Sequence, residues 1–160
     1  MLPYLPMRYA RWADVAAYAD WAGLRPITEL EYEKAARGPL APVAGEYAWG
    51  STSIAAATGL AAAGYDGALD LSGNLWERTV TIGNASGRAF SGAHGDGVLG
   101  PDGAADVIGW PTANAVGNGF RGGNWRDAAI YLRVSDRTFA ALALADRSDI
   151  FGWRGGRSAP

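Results

Sequence analysis

Cysteine is absent from this chain. That absence removes disulfide frameworks, thiolate zinc sites, thiol nucleophiles and redox pairs together, and it is compatible with any compartment. Histidine occurs once, at His94, too few for the imidazole cluster that ferrous iron chemistry needs. Positive charge is not in excess either. The formal net charge is −2 and the pI about 5.3, so no basic stripe exists to neutralise a phosphate backbone and nucleic acid is a poor partner. Long apolar runs of about 18 residues are missing, and no charged-then-apolar leader precedes a cleavage site. The start, Met-Leu-Pro-Tyr-Leu-Pro, is broken by Pro3 and Pro6 and reads as an extended arm.

What is present suits one domain with a real core. The chain has 160 residues, 49% of them hydrophobic, with 7 Trp and 7 Tyr; neither a linker nor an internal repeat divides residues 1–160. Glycine, at 23 residues, is roughly twice as frequent as usual, which implies many turns and irregular segments. Trp12, Val15, Ala16, Ala19 and Ala22 recur at helical spacing, with Gly23 as a stop. A second helix starts at Thr28, where Glu31 three residues on completes a capping box, and ends at Gly38-Pro39. Residues 51–67 are small and read as a loop or short helix. Arg78 to Ile82 favours a strand. Residues 92–119 are loop-like, and the last forty residues read as strands, Tyr131 to Ser135 by alternation. The class is α+β: two helices packed on short, irregular antiparallel strands, rich in loops.

Gly117-Asn118-Gly119-Phe120-Arg121-Gly122 matches a dinucleotide-binding string, but no strand leads into it and no helix follows to meet a pyrophosphate. His94, between Ser91 and Asp96, lacks the spatial convergence a triad requires and is treated as a surface or structural residue. Asp96, Asp102 and Asp106 among glycines could hold Ca²⁺ without EF-hand spacing. Asp70 and Glu77 bracket a turn, Asp70-Leu71-Ser72-Gly73-Asn74-Leu75-Trp76-Glu77, whose carboxylates and carbonyls suit a hard cation. The same turn could equally serve only to seat Trp76 in the core, with Asp70 bonding backbone amides.

The ordered blocks Gly23-Leu24-Arg25-Pro26, Thr28 to Gly38, Tyr47-Ala48-Trp49-Gly50, Asp70 to Glu77, Phe120-Arg121-Gly122-Gly123-Asn124-Trp125 and Gly152-Trp153-Arg154 resemble the formylglycine-generating enzyme (sulfatase-modifying factor) family, a branch of the C-type lectin fold. The resemblance runs from about Trp12 onward and implies a C-type lectin-like domain. Family members carry N-terminal strands that this chain lacks before its first helix. The enzymes also carry cysteines shortly after the Gly-Gly-x-aromatic block, to bind copper and oxidise the sulfatase cysteine. Here that stretch is Arg126-Asp127-Ala128-Ala129-Ile130-Tyr131-Leu132, so formylglycine chemistry is not expected and the chain is read as no enzyme.

A second group within the superfamily is more similar: the variable proteins of diversity-generating retroelements. The shared strings are Ser72 to Arg78, Gly87-Arg88-Ala89-Phe90, Arg133-Val134-Ser135-Asp136-Arg137 and the tail Gly152 to Pro160. In that group, adenine mutagenesis randomises codons near the C-terminus and the fold presents the encoded side chains to a ligand. The resemblance implies variable, ligand-binding positions at Arg126, Asp127, Ile130, Thr138, Phe139, Leu142, Leu144, Ser148, Asp149, Ile150 and Phe151. Gly122-Gly123-Asn124-Trp125 and Gly152-Trp153-Arg154 would be fixed supports. It also implies a structural Ca²⁺ held by Asp70, the carbonyls of Gly73 and Leu75, and Glu77, and no organic cofactor. The expected partner is a protein or other surface ligand on the C-terminal face. The other readings are a divergent family enzyme, for instance an iron-dependent sulfoxide synthase relative, and a minimal engineered scaffold.

Overall fold

The computed structural model describes residues 6–54, 64–65 and 67–158. The arm at residues 1–5 and most of the small-residue stretch lie outside the described residues.

Helix α1, Trp12–Trp21, buries Trp12, Val15, Ala16, Ala19 and Asp20 on one face and stops before Gly23, whose φ of 63° no helix interior adopts. The two-residue strand β1, Arg25–Pro26, leads to α2, Glu29–Arg37. The Thr28 hydroxyl accepts the Glu31 N–H at 3.1 Å, and the Glu31 carboxylate accepts the Thr28 N–H at 2.8 Å. Both orphan donors expected of a capping box are therefore satisfied.

Strand β2, Trp76–Val80, is buried at every position because it is the centre of a three-stranded sheet ordered β3-β2-β4. It begins two residues earlier than the β-branched run suggests. β3, Asn118–Arg121, pairs with it antiparallel, and β4, Phe151–Trp153, pairs parallel. The expectation of an antiparallel set is thus corrected to a mixed sheet. β5, Gly155–Gly156, returns antiparallel to β1. A short helix α3, Ala85–Arg88, completes the regular elements before β3. Gly119 lies against the Ala140 carbonyl so closely that a Cβ there would collide with it.

Three apolar clusters result. One joins α1 to Val80, Trp110 and Ala115; a second joins α2 to Ile27, Ala48, Leu71 and Val134; the third is Trp76, Phe120 and Phe151. The last forty residues are mostly not strands. Gly122 and Gly123, both at positive φ (88° and 71°), turn the chain out of β3. From there to Phe151 the only regular element is a 3₁₀ turn, Ala129–Leu132, where alternation suggested a strand. The sheet's two free edges are β3 and β4, and 131–135 pairs with neither; Val134 instead bonds the Glu46 carbonyl at 2.9 Å.

Candidate binding face and cation-binding turn

The segment between β3 and β4 is seated on a buried frame. Arg121, fully buried, reaches Glu29 at 3.1 Å and Glu33 at 2.6 Å on α2, and donates to the Val134 carbonyl at 2.6 Å. Glu29 also accepts from the Thr81 hydroxyl and the Ile82 N–H, and Arg137 approaches it from the solvent side at 2.8 Å.

Further donors outside the segment take its main-chain carbonyls. The Phe120 N–H bonds Phe139 O at 3.0 Å, Tyr9 N–H bonds Ser148 O at 3.0 Å and Trp76 N–H bonds Ile150 O at 2.8 Å. The Arg78 guanidinium donates to Leu144 O and Asp146 O, each at 2.7 Å.

The side chains named from the sequence divide into three groups. Arg126, Ile130, Thr138 and Leu142 are exposed, Ile130 at 51% and Leu142 at 43%. Phe139, Leu144 and Ile150 are half-buried and roof the Trp76–Phe120–Phe151 cluster; Ser148 and Asp149 are half-buried beside them. Asp149 pairs with Arg126, and the Ser148 hydroxyl donates to it at 3.3 Å. The third group corrects the expectation. Phe151 is 8% exposed, its ring 4.6 Å from Phe120, because its β4 position faces the sheet interior beside Trp76. Asp127 is half-buried and turned inward: its carboxylate accepts the Asn124 N–H at 2.9 Å and the Asn124 side-chain amide. It closes the turn after β3.

Trp125, read as a support, is 60% exposed, with the Arg126 guanidinium 4.3 Å above its ring. Gly122, Gly123 and Asn124 are buried as supports should be. At the other end, Arg154 donates from Nε to Glu77 at 2.9 Å.

That contact bears on the candidate calcium turn. Asp70 and Asn74 adopt φ of 60° and 62°, and Gly73 87°, which folds the turn back on itself. The Leu71 carbonyl is taken by the Tyr32 hydroxyl and the Asn74 carbonyl by the Trp125 N–H. Glu77 Oε1 meets Arg154, while Oε2 is buried with no hydrogen-bond donor. Burial pushes the Glu77 carboxyl up, and Arg154 opposes that shift. A buried carboxylate oxygen without a donor is the chemistry a cation would complete, so the residues present fit the group.

The aspartates at 96, 102 and 106 do not converge as a trio. Asp96 and Asp106 instead meet Asp20 of α1, their carboxylate oxygens all within 4.8 Å of one another. The two Asp20 oxygens already accept the Asp96 and Asp106 N–H groups, at 3.2 and 3.1 Å, which tethers the long loop to the helix. Asp102 is exposed and bonds the Ala104 N–H. His94 Nε2 accepts the Ser158 N–H at 3.1 Å, and no hydroxyl donates to it among the described residues.

A small α+β fold with a mixed sheet and an irregular, carbonyl-anchored C-terminal segment is what the chain presents for comparison. No protein-family model matches it. A stretch of 48 residues is 52% identical to the formylglycine-generating enzyme of Streptomyces coelicolor, covering 30% of this chain and 15% of that enzyme. A stretch of 49 residues is 47% identical to the formylglycine-generating enzyme of Thermomonospora curvata, covering 31% and 16%. The chain thus matches only about a sixth of the length of these relatives. PvdO from Pseudomonas aeruginosa shares the fold, with a TM-score of 0.55 at 21% identity over 94% of this chain and 61% of PvdO. The partial sequence matches support a relationship to the formylglycine-generating enzyme superfamily, and PvdO shows a shared fold.

Proposed function

We propose that this chain is a divergent member of that superfamily, without thiol chemistry, that uses residues 124–150 as a ligand-binding face on a C-type lectin-like fold. In its finer form the proposal is a variable protein of a diversity-generating retroelement. One observation carries it. Six carbonyls of the segment, those of Val134, Phe139, Leu144, Asp146, Ser148 and Ile150, accept from donors that lie outside it. A main-chain carbonyl is the same for every residue type, so a loop held this way keeps its path when its exposed side chains change. Of the positions named from the sequence, Arg126, Ile130, Thr138 and Leu142 are the exposed ones. The exposed mix of Trp125, Ile130 and Leu142 with Arg126 suits a protein surface, since Trp and Arg dominate binding energy where they occur at interfaces. A structural Ca²⁺ held by Asp70, Glu77 and the carbonyls of Gly73 and Leu75 belongs to the same proposal; it would neutralise a buried carboxylate beneath the face.

The test is a library with Arg126, Ile130, Thr138 and Leu142 replaced together by Ser, Asp, Asn or Tyr. Most members are expected to fold, each replacement shifting stability by under about 0.5 kcal/mol. Widespread unfolding would assign these side chains to the fold. The finer form is decided by the gene's surroundings: a near-copy of the codons for 120–157, differing mainly at adenines and lying beside a reverse transcriptase.

A further inference from the structure

Arg78 is a cation in an unusual setting. Its side chain is fully buried on the central strand, 4.8 Å from the Phe120 ring and 5.0 Å from the Phe151 ring. Among the described residues it makes no ion pair; its two terminal nitrogens bond carbonyls two residues apart, Leu144 O and Asp146 O. Nε is buried and has no acceptor. Burial pulls the guanidinium pKa down to about 10, although Asp14 and Asp146 favour the charged form. An apolar residue of similar length would fill the same space beside the two rings without that desolvation. What an apolar residue would not supply is a rigid planar fork, able to hold two acceptors at once.

The two acceptors lie in a stretch without regular structure of its own. Between Leu142 and Ser148, Leu142, Ala143, Asp146 and Arg147 are exposed, and no helix or strand crosses it. Arg147 reaches Asp14 of α1 at 2.8–2.9 Å, but both groups are about half or one-third exposed, so that pair holds the loop weakly. The buried fork is the firm contact.

We propose that Arg78 is a positioning residue, a clasp that fixes the path of residues 142–148 through their main chain alone. The clasp rests on the binding reading for its purpose, since it leaves the exposed side chains it positions, Leu142, Ala143, Asp146 and Arg147, free to differ. Because it reads carbonyls, the proposal extends the binding face to Ala143, Asp146 and Arg147, which the sequence did not single out.

The experiment places a nitroxide spin label on Ala143→Cys, the sole thiol of the full chain, and compares Arg78 with Arg78→Met and Arg78→Lys; a second label on Ile130→Cys serves as the control. Met retains packing against Phe120 and Phe151 and removes the donors. The label at 143 is expected to tumble about twofold faster or more in Arg78→Met, while the label at 130 stays close to wild type. Lys restores the charge and not the fork, so it should not restore the order at 143. Unchanged mobility at 143 in folded Arg78→Met overturns the proposal, and so does equal loosening at 130, which would make Arg78 a general core residue. The measurement uses no ligand. A library that fails to fold would sink the binding reading without touching this result, and the converse also holds.

Discussion

Ile130 and Phe151 are both large and apolar and both lie in the C-terminal segment, yet burial separates them. Phe151 contacts Phe120 and Arg78, whereas Ile130 stands 51% exposed on a 3₁₀ turn. Phe151→Ala should cost about 3–5 kcal/mol, the usual loss for an aromatic ring in a packed core. Ile130→Ala and Leu142→Ala should each stay within about 0.5 kcal/mol. Urea midpoints for the three variants decide it; similar losses in all three would mean that the exposed face contributes to the core. Sequence pattern alone did not separate Phe151 from its neighbours, because what buries it is a parallel pairing with Trp76, 75 positions away in the chain. Asp20 was legible in principle. It sits four residues after Ala16, on the buried stripe of α1, and a carboxylate there requires donors, which the distant amides of Asp96 and Asp106 provide. Spacing could announce the need and not the partners.

Among the elements, α2 shows what local chemistry determines. Its start was readable to the residue, because a capping box is satisfied within four positions. The strands were read less well, since each depends on an edge supplied from elsewhere in the chain: β2 was placed two residues late, and 131–135 became a turn for want of an edge. Arg25 adds a feature that the box does not require. It forks onto Glu31, tying β1 to the helix start. Burial pushes the Glu31 carboxyl up, but bonds from Arg25 and from the Thr28 amide and hydroxyl outweigh it and leave the pKa below the usual carboxylate value. The folded form therefore binds fewer protons than the unfolded chain as the pH falls through the carboxylate range. The stabilisation is complete above the ordinary glutamate pKa and is lost as the pH drops through the lower, folded one. Glu31→Gln should lower stability near neutrality and flatten the acid limb of the stability profile. A variant whose loss is the same at pH 7 and at pH 3 would show that the ion pair contributes nothing there.

At the scale of the molecule, the blocks that carried the family resemblance turn out to be supports, while much of the exposed chain lies between them. Glu29 and Glu33 of α2 hold Arg121 of β3, Glu77 of β2 holds Arg154 beyond β4, and Arg78 holds the loop between. These buried charges join sheet, helix and C-terminal segment, so the frame is electrostatic where the loops give it little apolar area. The frame is left incomplete at Glu77, as at Arg78 Nε and Arg121 Nε: one Glu77 oxygen meets Arg154 and the other, buried, meets no donor. A calcium ion shared with Asp70 and the carbonyls of Gly73 and Leu75 would complete it at Glu77, and binding to the folded chain alone would raise its stability by mass action. Millimolar calcium should then raise Tm by about 5 °C or more over a chelated sample, with magnesium far less effective. Glu77→Gln should abolish the calcium response. Asp70→Asn, which keeps an oxygen at that position, should only weaken it. A wild-type Tm indifferent to calcium would leave Arg154 as the sole counter-charge of Glu77. In that case Arg154→Met should destabilise the chain by about 3–5 kcal/mol, the loss expected when a buried carboxylate is stripped of its partner.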